Sequence, residues 1–129
     1  MNPADRYYST EHEWVLVNQD NMVSIGITEY AQDELGDLVF VELPATGTIV
    51  ENMGKLGEVE SVKSVSDIFC PISGEVVEIN QEAVENPEII NEDPYGKGWL
   101  IRLNPSNPDQ LDQLMSASEY EIFLESLGH

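Results

Sequence analysis

Gly57-Glu58-Val59-Glu60-Ser61-Val62-Lys63-Ser64-Val65-Ser66-Asp67 reads as one strand, a tight bend and the beginning of a second strand, with a lysine at the bend. Val59, Val62 and Val65 are branched residues that favour strands. Ser61 and Ser64 are small and leave the lysine stem unobstructed. The placement stands out because the 129 residues carry 25 Asp and Glu against 5 Lys and Arg, a formal net charge of −20. An exposed ammonium titrates near pH ~10.4 and is a poor base or nucleophile unless desolvated. No large apolar stretch surrounds Lys63, which argues against a Schiff-base lysine. Two readings are left. Lys63 is an ordinary solvated turn lysine, or it is an attachment point where another enzyme adds an acyl-linked cofactor, which needs a protruding amine on a rigid turn.

Working outward, many short strands separated by turn signals predict a mainly β fold, an all-β sandwich or flattened barrel, rather than alternating β and α units. On the N-terminal side, Tyr7 to Val17 reads as an extended segment entering a strand, with Trp14 as a core anchor. Asn18 to Asn21 is a turn, and Met22 to Ile27 is the returning strand. Thr28 suits a helix N-cap and Gly36 a left-handed C-cap, predicting a short helix near 29–35. Asp37 to Leu43 is a strand ended by Pro44, and Thr48-Ile49-Val50 is another. On the C-terminal side, Gly74 to Asn80 alternates as a strand, Gln81 to Asp93 reads as a loop with one short turn, and Pro94 to Gly98 as a tight loop. Trp99 to Leu103 closes the sheet. Asn107 is expected to cap a helix beginning at Pro108, with Leu111, Leu114 and Met115 on one face. Ser118 is expected to start a second helix with Tyr120, Phe123, Leu124 and Leu127 at helical spacing. These C-terminal helices, near 108–127, are read as packing elements, and Gly128-His129 as a frayed end. The length suits a single domain over 1–129, with a core at about 22–104 and a helical extension at about 107–127.

Composition narrows the chemistry. The negative charge disfavours nucleic-acid and membrane-surface partners. One cysteine, Cys70, excludes a disulfide framework and reads as a buried, inert thiol. No apolar run approaches the ~20 residues of a membrane span. Met1 to Arg6 has neither a secretory nor a transit-peptide pattern, so a cytoplasmic protein is expected. With only His12 and His129 as histidines, a catalytic triad or zinc site is disfavoured. Neither GxGxxG nor GxxxxGK[ST] occurs. The chain lacks the equipment of a self-sufficient enzyme.

Glu60-Ser61-Val62-Lys63, Ser66-Asp67 and Pro71-Ile72-Ser73-Gly74-Glu75-Val76 resemble the lipoyl-attachment hairpin of the H proteins of the glycine cleavage system. The resemblance continues in order through His12-Glu13-Trp14-Val15, Gly26-Ile27-Thr28, Tyr30-Ala31-Gln32, Leu35-Gly36-Asp37, Val41-Glu42-Leu43-Pro44, Pro94-Tyr95-Gly96 and Gly98-Trp99. It implies a lipoyl-domain-like barrel-sandwich hybrid and a non-catalytic carrier with lipoate in amide linkage to Lys63. Glu60, Ser61 and Val62 would mark the hairpin for a lipoate ligase or octanoyltransferase. It also implies the partners. A pyridoxal-phosphate glycine decarboxylase would load an aminomethyl group on the arm, a tetrahydrofolate-dependent aminomethyltransferase would take it, and dihydrolipoamide dehydrogenase would reoxidise the arm. By position, Glu13 looks like the residue that holds the carried amine in a cleft; otherwise it is a solvated strand-edge acid. Tyr30 stands where many family members have histidine and is the second expected cleft contact. A monomer is expected. The alternatives are a related lipoyl protein acting in lipoate relay, or a biotinyl or unmodified acidic interaction module. Biotin acceptors usually place methionine beside the lysine, and here Val62 and Ser64 flank it.

Overall fold

The computed structural model describes residues 2–127, so the expected frayed end at Gly128-His129 lies outside the described residues. In chain order the elements are β1 (Tyr7–Tyr8), β2 (Glu13–Val17), β3 (Val23–Ile27), α1 (Glu29–Leu35), β4 (Leu38–Glu42), β5 (Ile49–Val50), β6 (Lys55–Ser61) and β7 (Val65–Phe69). They continue with β8 (Gly74–Ile79), α2 (Gln81–Glu85), α3 (Glu88–Glu92), β9 (Ile101–Pro105), a 3-10 helix (Pro108–Gln113) and α4 (Ala117–Glu125).

The strands form two antiparallel sheets, one ordered β1-β2-β3-β9-β8-β5 and one ordered β4-β6-β7. They pack face to face around one core as a mainly β fold but do not close into a barrel. Apolar residues of both sheets meet in one core: Val15, Ile25 and Leu103 from the larger, Val41, Val59 and Ile68 from the smaller. Burying such side chains is worth about 1.5–3 kcal/mol each. Among the described residues no helix is long and apolar enough to cross a membrane.

A second cluster joins Tyr8 and Trp14 to Tyr120 of α4. Trp14 is the expected anchor, its indole N–H donating to the Pro94 carbonyl at 3.0 Å. A Cβ at Gly26, on the paired strand, would lie 2.5 Å from that indole ring, so the close approach requires glycine. The Arg6 guanidinium lies over the Trp14 ring, 4.7 Å from its centre.

Several expectations are corrected. Tyr7 to Val17 is not one extended segment: the chain reverses between β1 and β2, pairing Tyr8 with Trp14, and His12 takes a positive φ of 70° in the reversal. Gln81 to Asp93 forms two short helices, α2 and α3, each turning one apolar residue, Ala83 and Ile90, into the core. Asn107 makes no side-chain cap, and the segment from Pro108 is 3-10, ending before Leu114 and Met115. The last helix begins two residues earlier than expected, because Ser116 and not Ser118 is its N-cap. Ser116 Oγ accepts from Glu119 N at 3.2 Å while the Glu119 carboxylate accepts from Ser116 N at 2.8 Å. Starting there buries Ala117 and Tyr120. Ser116→Ala is expected to cost about 1 kcal/mol in urea denaturation and Ser116→Asp to recover most of it; equal stability of all three proteins would contradict this cap.

Candidate functional site: the Lys63 turn and its adjoining cleft

The hairpin joining β6 to β7 is built by Ser61. Its side chain does not merely stand clear of the lysine. It is buried, and its Oγ accepts from the backbone N–H groups of Lys63 at 3.1 Å and Ser64 at 3.0 Å. The Ser61 N–H donates to the Ser64 carbonyl at 2.8 Å, and the Val62 N–H to the Asp37 carbonyl at 3.2 Å. The bend is thus tied internally and to the α1–β4 junction. Val62 protrudes, 72% exposed, and Lys63 is exposed beside it. Glu60 is exposed on β6, opposite Phe40 on one side and Val65 on the other. Ser61→Ala would strip an acceptor from two partly buried amides. A loss of about 1–2 kcal/mol and slower acylation of Lys63 by a ligase are expected; an unchanged urea midpoint would refute the role.

Charge pairing separates Lys63 from Lys55 and both arginines, though not from Lys97, which is exposed and likewise has no ion-pair partner among the described residues. Lys55 lies 3.4 Å from Asp67 and 3.7 Å from Glu58; Arg102 pairs with Asp20 at 2.9 Å and Glu78 at 3.4 Å; Arg6 pairs with Asp5 at 2.8 Å. Among the described residues Lys63 has no ion-pair partner.

Beside the turn, α1 and β7 enclose a cleft of about 430 Å³. Ala31, Leu35, Val65 and Phe69 give it apolar walls, and Glu11, Glu34 and Asp67 place three carboxylates around it. Tyr30 lines this cleft, its phenol held above the ordinary value chiefly by a hydrogen bond with Glu34. The His12 ring also lines the cleft. Its Nδ1 is 2.8 Å from Tyr120 Oη, which is 2.8 Å from Thr28 Oγ1, and its ring centre is 4.6 Å from that of Tyr30. Burial pushes its pKa down.

Glu13 is neither a solvated edge acid nor part of the cleft lining. It is 2% exposed and bonded to the wall from inside: one carboxylate oxygen accepts from Ser9 Oγ at 2.6 Å, the other from the Phe69 N–H at 3.4 Å. Burial drives its pKa up to about 7, against the opposing effect of those two hydrogen bonds. Cys70, next along, is fully buried, its thiol donating to the Ile72 carbonyl and pushed up to about 12 by burial, as an inert thiol should be.

The structure therefore brings Tyr30 and the Lys63 turn to one region and sets Glu13 behind it. Reasoning from sequence missed Glu11, His12 and Glu34 as cleft residues. Glu34 had a readable signal, since it stands four residues after Tyr30 on a helix capped by Thr28 and so shares its face.

Comparison with known proteins gives a consistent family. The glycine cleavage H-protein family model matches residues 6–127. The glycine cleavage system H protein of Carboxydothermus hydrogenoformans is 51% identical over 126 residues, 98% of this chain and 96% of that one. That of Coprothermobacter proteolyticus is 56% identical over 117 residues, 91% of this chain and 92% of its own. The crystal structure of a glycine cleavage system H protein from Mycobacterium marinum superposes with a TM-score of 0.89 at 43% identity, covering 96% of this chain and 99% of that one.

Proposed function

From the premise that this chain belongs to the glycine cleavage H-protein family and is a non-catalytic lipoyl carrier of the glycine cleavage system, we propose that lipoate is carried in amide linkage on Lys63 Nζ. The observation that supports this most directly is the Ser61-pinned turn, which holds an exposed amine with no ion-pair partner among the described residues beside a cleft with apolar walls. Those features fit an acyl arm: the amine is accessible to a modifying enzyme, and the cleft can receive a chain whose far end bears a cation. Attached there, lipoate supplies a disulfide that takes up a one-carbon amine unit together with two electrons.

The chain's own residues do the rest. Ser61 fixes the direction in which the lysine leaves the turn, and exposed Glu60 and Val62 give a lipoate ligase or octanoyltransferase its recognition surface. Glu11, Glu34 and Asp67 favour a protonated amine in the cleft, and apolar walls keep water from it. Tyr30 offers a phenol to the same end. Glu13 acts from behind, bracing Phe69. The enzymes visited are a pyridoxal-phosphate glycine decarboxylase, a tetrahydrofolate-dependent aminomethyltransferase and dihydrolipoamide dehydrogenase, between which a tether raises local concentration. The protein works as a cytoplasmic monomer, one domain with its lipoyl-bearing core at about 22–104 and a helical extension at about 107–127.

Reconstitution tests this reading. Lipoylated protein should support glycine-dependent exchange of carbon dioxide with purified glycine decarboxylase, and the unmodified protein should not. Failure of the lipoylated protein, with lipoyl transfer to another acceptor instead, would favour a relay role.

A further inference from the structure

Gly36 ends α1 with φ 84° and ψ −160°, a combination open essentially to glycine alone. Capping a helix does not require it: a left-handed cap has ψ near about +47°, and Asn can serve there. Here the chain turns differently, and the turn delivers the Asp37 carbonyl to the Val62 N–H of the lysine hairpin. Asn91 of α3 fastens the junction from below. Its amide donates to Gln32 Oε1 at 2.8 Å and to the Gly36 carbonyl at 2.9 Å, and its Oδ1 accepts from Leu38 N at 2.9 Å. A loop whose backbone is held at two points by one side chain, itself fixed to Gln32 of α1, is a built platform.

The Lys63 stem lies on that platform. A Cβ at Gly36 would stand 3.0 Å from Lys63 Cε, 3.6 Å from Nζ and 3.9 Å from Cδ. An ordinary C-cap glycine needs no such neighbour. The residue before it, Leu35, is already a wall of the cleft, and Val65, two residues beyond Lys63, is the facing wall. The path from the lysine to the cleft therefore begins over the one residue of the junction that has no side chain.

We infer that Gly36 is a positioning residue for the carrier arm: its bare Cα, held in place by Asn91, forms the track across which the Lys63 stem passes, directing whatever Nζ carries into the α1–β7 cleft. This rests on the proposal that Lys63 bears lipoate, but the contact itself precedes modification. A side chain at Gly36 would press on the stem from 3.0 Å and displace it from the bare Cα.

The first test uses the unmodified, unmutated protein. Nuclear Overhauser contacts between Gly36 Hα and the Lys63 Hδ and Hε protons are expected; their absence, with sequential contacts of Lys63 visible, overturns the inference. This measurement stands even if Gly36→Ala fails to fold. The second uses lipoylated protein, reduced and labelled on the arm thiols with a thiol-reactive nitroxide, since buried Cys70 is shielded. Broadening of the Ala31, Leu35 and Val65 amides is expected in the native sequence and should be lost in Gly36→Ala. It should weaken in Asn91→Ala, which loosens the junction without placing an atom in the stem's path. Equal broadening in the native protein and Gly36→Ala overturns the track. Failure to take up any lipoyl group would count against the Lys63 assignment instead, and the first test would still decide the contact.

Discussion

Lys63→Ala is expected to abolish lipoylation completely, leaving the protein at its unmodified mass after incubation with a lipoate ligase and activated lipoate. An amide needs a free amine held where an enzyme can reach it, and the other two lysines do not offer that combination. Lys55 is engaged by Asp67 and Glu58 within β6 and at its neighbour β7. Lys97 sits in the Pro94–Gly98 loop, whose backbone is fastened to Asp93 and Asn80 and presents no serine-pinned hairpin. Because the exposed Lys63 leaves a turn that is closed by Ser61 Oγ and by backbone hydrogen bonds, the substitution should leave the fold unchanged. In the native sequence, acylation removes one positive charge and takes the formal net charge from −20 to −21, so modified protein should migrate farther toward the anode on a native gel. Peptide mass spectrometry that places the acyl group on Lys55 or Lys97 would sink the assignment.

The hairpin was legible because its information is local. A run of valines, a serine before the bend and a lysine on it specify strand, turn and protruding amine without reference to the rest of the chain. Thr28 and Gly36 framed α1 for the same reason, each acting within its own turn: Thr28 Oγ1 accepts from Ala31 N at 3.2 Å, and Gly36 N donates to the Gln32 carbonyl at 2.9 Å. The start of α4 shows where local information becomes ambiguous. Ser116-Ala-Ser-Glu119 and Ser118-Glu-Tyr-Glu121 both spell a capping box, and the choice falls to the one that buries Ala117 and Tyr120 against Tyr8. Likewise α2 and α3 are five residues each, too short to show a helical period, and are held by Ala83 and Ile90 entering a core assembled from distant strands. The cleft is harder still. Its two walls, α1 and β7, are separated by the whole of β4 to β6, and the burial of Glu13 follows from a contact with Phe69, 56 residues away. The strand pattern around Glu13 cannot report it, because a positive φ at His12 resets the alternation one residue before the strand begins.

That buried carboxylate should make stability fall as pH rises from about 4.5 to about 7, and Glu13→Gln should remove the effect. Glu13 titrates near its ordinary 4.5 in the unfolded chain and at about 7 in the folded one, because burial penalises the charged form. Below 4.5 both states hold the proton and the group costs nothing. Between 4.5 and 7 the unfolded chain releases its proton first, so the folded state loses ground with each rise in pH; above 7 the loss is complete. At about 1.4 kcal/mol per pH unit, the gap between 4.5 and about 7 amounts to roughly 3 kcal/mol. A glutamine keeps the shape and has no proton to lose. Its carbonyl oxygen can take the Phe69 N–H and its amide can donate to Ser9 Oγ, so both hydrogen bonds of the native carboxylate have a counterpart. Urea denaturation of the two proteins from pH 5 to pH 8.5 isolates the term, since the coat of surface carboxylates and the depressed His12 titrate alike in both. The glutamine variant should gain on the native protein from pH 5 to about 7 and hold a constant lead above that. Parallel curves would mean that Glu13 ionises as freely in the folded state as in the unfolded one. The wall behind the cleft would then be wet, and Phe69 would not be braced by a group that changes charge near neutral pH.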